Sequence, residues 1–262
     1  MIGSTFLYSA LLGLAGLTEG AQFFSNKGVL NQNGGTNGWS HFQTERNGKI
    51  TEVTNVFSEG PTALKMTQTY DSSWTGRYHS EVGTSVGGYK RGDNRFYGFQ
   101  FRLSEDWQFS DGQSFNIAQF IADFSGQCSE TFMPSSMLWL EGNQLHSRVK
   151  TGSVCPTSAQ ITTPFRNLAT VTAGAWHKIV MQVNWRSDST GLFKVWYDGE
   201  KVVEHSGIKT TVDNDKQFMF RVGLYANGWH DQGTNKGQSF RQIWFDEIAV
   251  GEEFKDADPA QW

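Results

Sequence analysis

Apolar residues in this chain recur at every second position over short runs, and Gly, Asn, Asp and Ser punctuate the gaps. Successive side chains of a strand point to opposite faces, so such alternation predicts half-buried β-strands. From Arg95 to Leu103, the residues Tyr97, Phe99, Phe101 and Leu103 share one face, with Gln100 and Arg102 opposite. Between Trp176 and Trp185, Ile179, Met181, Val183 and Trp185 oppose Lys178, Gln182 and Asn184. Gly191 to Val203 predicts a hairpin turning at Asp198-Gly199, a pair suited to a two-residue turn. Ile243 to Gly251 predicts a closing strand. Turn signals fall about every ten residues, and helical periodicity, internal repeats and Pro-rich linkers are lacking. The pattern predicts one all-β domain over residues 22–262, an antiparallel two-sheet β-jelly roll (a concanavalin-like sandwich) with an open cleft.

Three of the predicted strands carry polar, titratable outer faces. In Gly76 to Val82, Tyr78, Ser80 and Val82 face the core, so Arg77, His79 and Glu81 share the other face. In Phe115 to Phe124, Ala118, Phe120, Ala122 and Phe124 face the core. That turns Gln119 and Asp123 outward with Ile117 and Ile121, and the same count puts Asn116 on the core face. In Phe218 to Asn227, Phe218, Phe220, Val222 and Leu224 point in, and Arg221, Gly223, Tyr225 and Asn227 point out.

These side chains suit β-elimination on a uronate, which removes the C5 proton and expels the oxygen on C4. Donors must neutralise the adjacent carboxylate where negative charge develops, and a base and an acid must reach the proton and the leaving oxygen. Gln119 is an amide donor for that carboxylate, with Arg77 or Asn116 as helpers. Imidazole as a group can give and take a proton near neutral pH, so His79 suits the base; Tyr225 suits the acid, or both roles if the geometry is syn. The division between His79 and Tyr225 stays open at this level. A strand histidine is more often structural, and Arg77 can equally pair with Glu81. Lys150, Arg148 and His146 share one face of a strand after Trp139 and either line the cleft or face solvent. Trp229, followed by His230 in a loop after Tyr225, is a candidate sugar platform, and Lys150, Arg221 and Asn227 are further candidates for substrate binding.

Composition narrows the partner. Of 262 residues, 18% are charged and 14% aromatic, with ten Trp, a balance that suits a carbohydrate-handling β protein. A net charge of −4 argues against nucleic acid and anionic membranes as partners. An acidic polysaccharide is compatible only if cations gather locally in a cleft. The apolar run from Phe6 to Leu17 predicts a secretory signal over residues 1–21, too short for a membrane span. A secreted, extracellular monomer is expected. Cys128 and Cys155 fit that compartment; as a disulfide they would add roughly 3–4 kcal/mol of stability. The six His and two Cys show no metal-ligand spacing.

The three segments resemble the motif trio of jelly-roll polysaccharide lyases. Alginate lyases of polysaccharide lyase family 7 carry R-[S/T]-E-L-R, Q-I-H and Y-F-K-A-G-x-Y strands. This chain has His79-Ser80-Glu81-Val82-Gly83, Gln119-Phe120-Ile121 and Phe220-Arg221-Val222-Gly223-Leu224-Tyr225 in the same order. His79 stands where that family has arginine, and Ile121 where it has its catalytic histidine. Over nearly all of the mature sequence the chain is more similar to the fungal endo-β-1,4-glucuronan lyases of family 20. That resemblance implies an endo-acting lyase that leaves unsaturated uronate ends, with glucuronan first and alginate second as substrate. It implies His79, Gln119, Tyr225 and Arg77 as catalytic residues. It also implies a structural Ca2+ away from the cleft, where Asp246 would meet Glu59 and carbonyls near Asn31 or Gly60. Two other classes compete. A glycoside hydrolase needs two carboxyls flanking the bond, yet no Glu-x-Asp-x-x-Glu string occurs, and Asp246 and Glu247 are adjacent and so should point to opposite faces. A lectin-like module would use Trp74, Trp139 or Trp229 as platforms and bind without turnover.

Overall fold

The alternation is realised as β-strand through most of residues 20–259, which the computed structural model describes. The signal reading of residues 1–21 therefore lies, except for its last two positions, outside the described residues. In chain order the first strands are β1 (Gln22–Asn26), β2 (His41–Thr44), β3 (Lys49–Val53), β4 (Ala63–Thr69) and β5 (His79–Tyr89). Then follow β6 (Asn94–Leu103), β7 (Ser114–Gln127), β8 (Glu130–Glu141), β9 (Gln144–Gly152) and β10 (Gln160–Thr170). The last are β11 (Trp176–Asn184), β12 (Gly191–Tyr197), β13 (Glu200–Ile208), β14 (Phe218–Tyr225) and β15 (Phe240–Gly251). A 3-10 turn (Thr157–Ala159) and two short α-helices, α1 (Asn227–Gln232) and α2 (Phe254–Ala257), complete the set among the described residues. Among the described residues no helix is long and apolar enough to cross a membrane.

Two antiparallel sheets form the sandwich of a jelly roll. One is ordered β13-β12-β11-β6-β15-β4-β3, with β1 also on β15; the other is β10-β9-β8-β7-β14-β5-β2. The inward faces expected of β6 and β11 are realised: Tyr97, Phe99, Phe101, Leu103, Ile179, Met181, Val183 and Trp185 are all fully buried. Each such side chain contributes about 1.5–3 kcal/mol by leaving water. Tyr89 lies between the rings of Trp185 (3.6 Å) and Phe218 (4.9 Å), and Trp185 Nε1 donates to Tyr97 Oη at 3.0 Å. The polar ends of these large rings are thus satisfied inside the core. Asp198 and Gly199 both have positive φ (49° and 87°), the backbone that a tight hairpin of this kind requires. Cys128 and Cys155 form a disulfide, tying the β7–β8 turn to the connection after β9.

Two bulges overturn details of the simple alternation. Along β7, Asn116 faces Trp139 and Ala118 faces Leu138, so Ile117 is an extra residue in the ladder. A bulge of this kind re-aims the side chains on either side of it. Phe115 and Ile117 enter the core, and Ala118 and Phe120 then resume the inward face. Ile117 is therefore a core residue, and Asn116 joins Gln119 on the outer face. In β15 the register slips between Asp246 and Ala249, and Glu247 takes a φ of 49°. Consequently Asp246 and Glu247 do not part to opposite faces with one exposed; both are buried.

The segment after Tyr225 also departs from expectation. It is a helical turn, α1, which tucks Trp229 into the core, 1% exposed, edge-on to Tyr70, Tyr78 and Phe115. Trp229 is not a sugar platform. Apolar packing against three aromatic rings outweighs any gain from exposing it.

Candidate active site

Strand order places the predicted residues side by side. With β14 between β7 and β5, Tyr225 pairs with His79, Gly223 with Glu81, Arg221 with Gln119 and Tyr225 with Asn116. Gly223 makes this close approach possible. Its φ is 153°, and a Cβ there would sit 2.4 Å from the Ser80 carbonyl oxygen and 2.5 Å from Glu81 Cα. The outer face of these strands floors a cavity of about 570 Å3 lined by Arg77, His79, Asn116, Gln119, Arg221, Tyr225 and Asn227. Gln43, Glu45, Arg148, Phe132 and Asp231 complete its walls and rim. Arg77, Arg148 and Arg221 thus gather in one cleft of an otherwise acidic chain, the condition a polyanionic substrate imposes.

His79 and Tyr225 stack with ring centroids 3.9 Å apart and planes 20° from parallel. His79 Nδ1 lies 2.8 Å from Glu45 Oε2, and Nε2 lies 3.8 Å from Glu81 Oε2. Glu45 is itself held by Gln43 Nε2 at 3.0 Å, and Gln43 Oε1 lies 3.1 Å from His41 Nε2. Burial pushes the Glu45 carboxyl up, but the hydrogen bonds from His79 and Gln43 and the pull of the His79 charge together outweigh it and hold the carboxyl below the ordinary range. An anionic Glu45 can only accept, so Nδ1 is the donor in this pair and Nε2 is the ring nitrogen turned away from it. Burial raises the Tyr225 phenol above its ordinary pKa, an effect only partly offset by Arg77, whose Nη1 donates to Tyr225 Oη at 2.5 Å. Tyr225 therefore holds its proton at neutral pH. Arg77 pairs with this phenol rather than with Glu81.

Glu81 is fully buried and accepts from Gln119 Nε2 at 2.9 and 2.8 Å, with Arg221 Nη1 3.7 Å away. Gln119 is thus anchored by Glu81, which fixes where its second amide hydrogen points. Asn116 differs: it is 1% exposed, lines the cavity, and neither its Nδ2 nor its Oδ1 has a hydrogen-bond partner among the described residues. Leaving a buried amide N–H unpaired costs about 1–3 kcal/mol, which a bound carboxylate accepting from Nδ2 would recover. Of the carboxylates at the cleft, Glu81 is enclosed by Gln119, Glu45 is committed to His79, and Asp231 at the rim lies 2.9 Å from His230 Nδ1. That pairing argues against the two free acids of a hydrolase.

His79, Gln119, Tyr225, Arg77, Arg221 and Asn227 therefore converge. Lys150 does not reach the cavity wall; it sits two residues beyond Arg148 on β9, half-buried. Arg148 takes the cleft-lining alternative left open for it, Asn116 reaches the site from a strand position expected to face the core, and Glu45 joins from outside the sequence reading. Asn116 was misplaced by the unforeseen bulge, and Glu45, from the turn after edge strand β2, left no local signal.

The proposed cation residues lie on the other sheet. Asp246 Oδ2 accepts from the Ser58 amide and Oδ1 from the Glu247 amide, both at 2.8 Å. Glu247 is 1% exposed, and among the described residues neither carboxylate oxygen has a hydrogen-bond partner; Lys27 Nζ lies 3.9 Å off. Burial, reinforced by Asp246, pushes the Glu247 pKa up to about 7. Among the described residues no group of three or more His, Cys, Asp or Glu converges as a metal cluster. A hard cation would thus draw on two carboxylates and main-chain oxygens. Glu59 is exposed beside them, so Glu247, rather than Glu59, is the orphaned buried donor.

Fold and cleft define a carbohydrate-cleaving jelly roll whose acid–base residues suit elimination. A family model described as polysaccharide lyase matches residues 31–249, and the chain belongs to that family. It is similar to the crystal structure of endo-β-1,4-glucuronan lyase from the fungus Trichoderma reesei. The two are 52% identical with a TM-score of 0.86, over 92% of this chain and 100% of that one. Two alginate lyases share the fold alone. The one from Chlorella virus is 10% identical (TM-score 0.56; 84% of this chain, 95% of that one). The marine PL-14 enzyme from Aplysia kurodai is 14% identical (TM-score 0.55; 88% and 98%). A search of curated proteins found no match.

Proposed function

We propose that this polysaccharide lyase cleaves β-1,4-linked glucuronan internally, by syn β-elimination. The observation that carries the reading is the stacked His79–Tyr225 pair, which presents base and acid from one side of the cavity. In a 4-linked D-glucuronate, the C5 hydrogen and the C4 oxygen lie on the same ring face, so one side of the protein can serve both. His79 Nε2 takes the C5 proton while Glu45 holds Nδ1, and the electron pair moves into the C4–C5 bond. As the C4–O bond breaks, Tyr225 gives its proton to the departing oxygen, and Arg77 stabilises the phenolate that forms. Asn116 and the second amide hydrogen of Gln119 neutralise the carboxylate as negative charge spreads onto it.

The glucuronan lyase relative supports this polymer and an endo pattern. On purified glucuronan, ultraviolet absorbance from C4=C5 double bonds should rise while viscosity falls early. Reducing ends without that absorbance would sink the proposal. A disulfide-bonded chain also suits the oxidising exterior of a cell, and secretion is proposed on that ground.

We further propose that Asp246 and Glu247 hold a structural Ca2+ with neighbouring main-chain carbonyls. The cation would sit directly on the Glu247 carboxylate, which Lys27 meets only at 3.9 Å. Calcium should raise the melting temperature and a chelator reverse it, and Glu247→Gln should abolish the difference. At calcium 100-fold above its dissociation constant, the gain is about 2.7 kcal/mol. An identical melting temperature with calcium and with chelator would refute the site.

A further inference from the structure

A second, smaller hollow adjoins the catalytic cavity. It is lined by Asn116, Met137, Trp139, Arg148 and Asn227, and all but Trp139 also line the cavity itself. Its floor is Trp139 on β8, half-buried, with one ring face against His146 of β9 (centroids 5.3 Å apart, planes 18° from parallel). The remaining indole surface lines the hollow, as a pyranose platform would.

Arg148 is the unusual element. Arg221 has Glu81, Arg95 has Asp93, and Arg241 donates to the Gln108 carbonyl between aromatic rings. Arg148 has no carboxylate, carbonyl or ring partner among the described residues; its Nε, like those of Arg95, Arg221 and Arg241, is enclosed without an acceptor. Burial alone lowers its pKa, with no anion to offset the penalty. A half-buried, unpaired cation is costly unless a bound anion completes it. Lys150, next on the same strand face, adds a second positive charge.

We propose that Arg148 and Trp139 form a uronate subsite next to the cleavage site, Arg148 binding the carboxylate of the neighbouring sugar and Trp139 stacking on its ring. The inference rests on the cleft being a polyuronate lyase site, and it extends that reading to selection for a charged sugar beside the one that reacts. The guanidinium fork matches a carboxylate in a two-point contact, so the neighbouring residue must itself be a uronate.

The test is steady-state kinetics of wild type, Arg148→Gln, Arg148→Lys and Trp139→Ala on glucuronan, with melting temperatures alongside. Arg148→Gln should raise KM about ten- to a hundredfold, with a smaller fall in kcat and a flatter dependence of KM on salt. Arg148→Lys should recover part of the loss, and Trp139→Ala should also raise KM. Because Arg148 has no partner among the described residues, Arg148→Gln should melt no lower than wild type. A purely structural role predicts the reverse: a lower melting temperature with KM unchanged. Wild-type turnover with an unaltered KM in Arg148→Gln overturns the subsite alone. Absence of unsaturated product from the wild type overturns the lyase reading and the subsite with it.

Discussion

Replacing Tyr225 by Phe should lower turnover of glucuronan by roughly 10²–10⁴-fold while leaving the melting temperature nearly unchanged, because the change removes only the proton the leaving oxygen must receive. The ring stays: its stack on His79 at 3.9 Å and its place over the cavity do not depend on the hydroxyl. What goes is the hydroxyl bonded to Arg77 at 2.5 Å, whose raised pKa keeps it protonated across the neutral range. Arg77 is exposed, so losing this bond leaves it solvated rather than stranded. Initial rates and thermal melts of the two proteins decide the matter. A Phe variant with near wild-type kcat would remove Tyr225 from proton transfer and leave His79 with both roles.

The second large effect concerns the stereochemistry of the polymer. Base and acid lie together, so only sugars that carry H5 and O4 on one ring face fit the proton path. D-Glucuronate and D-mannuronate do; L-guluronate, inverted at C5, does not. Polyguluronate should therefore yield unsaturated ends at least about 10²-fold more slowly than glucuronan, the loss expected when one proton-transfer partner is on the wrong side. Polymannuronate, with the same C4 and C5 relation, should be cleaved more readily than polyguluronate. Comparable rates on polyguluronate and glucuronan would mean that a second acid or base acts from the opposite wall.

Most of this architecture was legible in the chain because the core faces are strictly periodic. Tyr97 to Leu103 and Ile179 to Trp185 alternate without a break, and each inward residue there is fully buried. His79, Gln119 and Tyr225 were placed correctly because their strands count outward from long apolar runs. The errors have local causes. One extra residue at Ile117 inverted the upstream part of β7 and hid Asn116, since a bulge shifts pleat parity without altering composition. Glu247 was misjudged in the same way, through a left-handed backbone in β15. Trp229 read as a platform because a Trp in a polar loop looks exposed; α1 folds it beneath Tyr70 and Tyr78 instead. Glu45 reaches His79 from a distant turn, a pairing that only sheet order creates.

The account turns on which face of the sugar meets the histidine and the phenol. A crystal structure of the Tyr225→Phe protein with a glucuronan oligosaccharide across the scissile bond reads this directly. The ring that reacts should turn its C5 hydrogen toward His79 Nε2 and its glycosidic O4 toward the edge of ring 225, with its carboxylate on Asn116 and Gln119. A sugar bound with the opposite face to this pair, or with its carboxylate directed away from those amides, would contradict the mechanism.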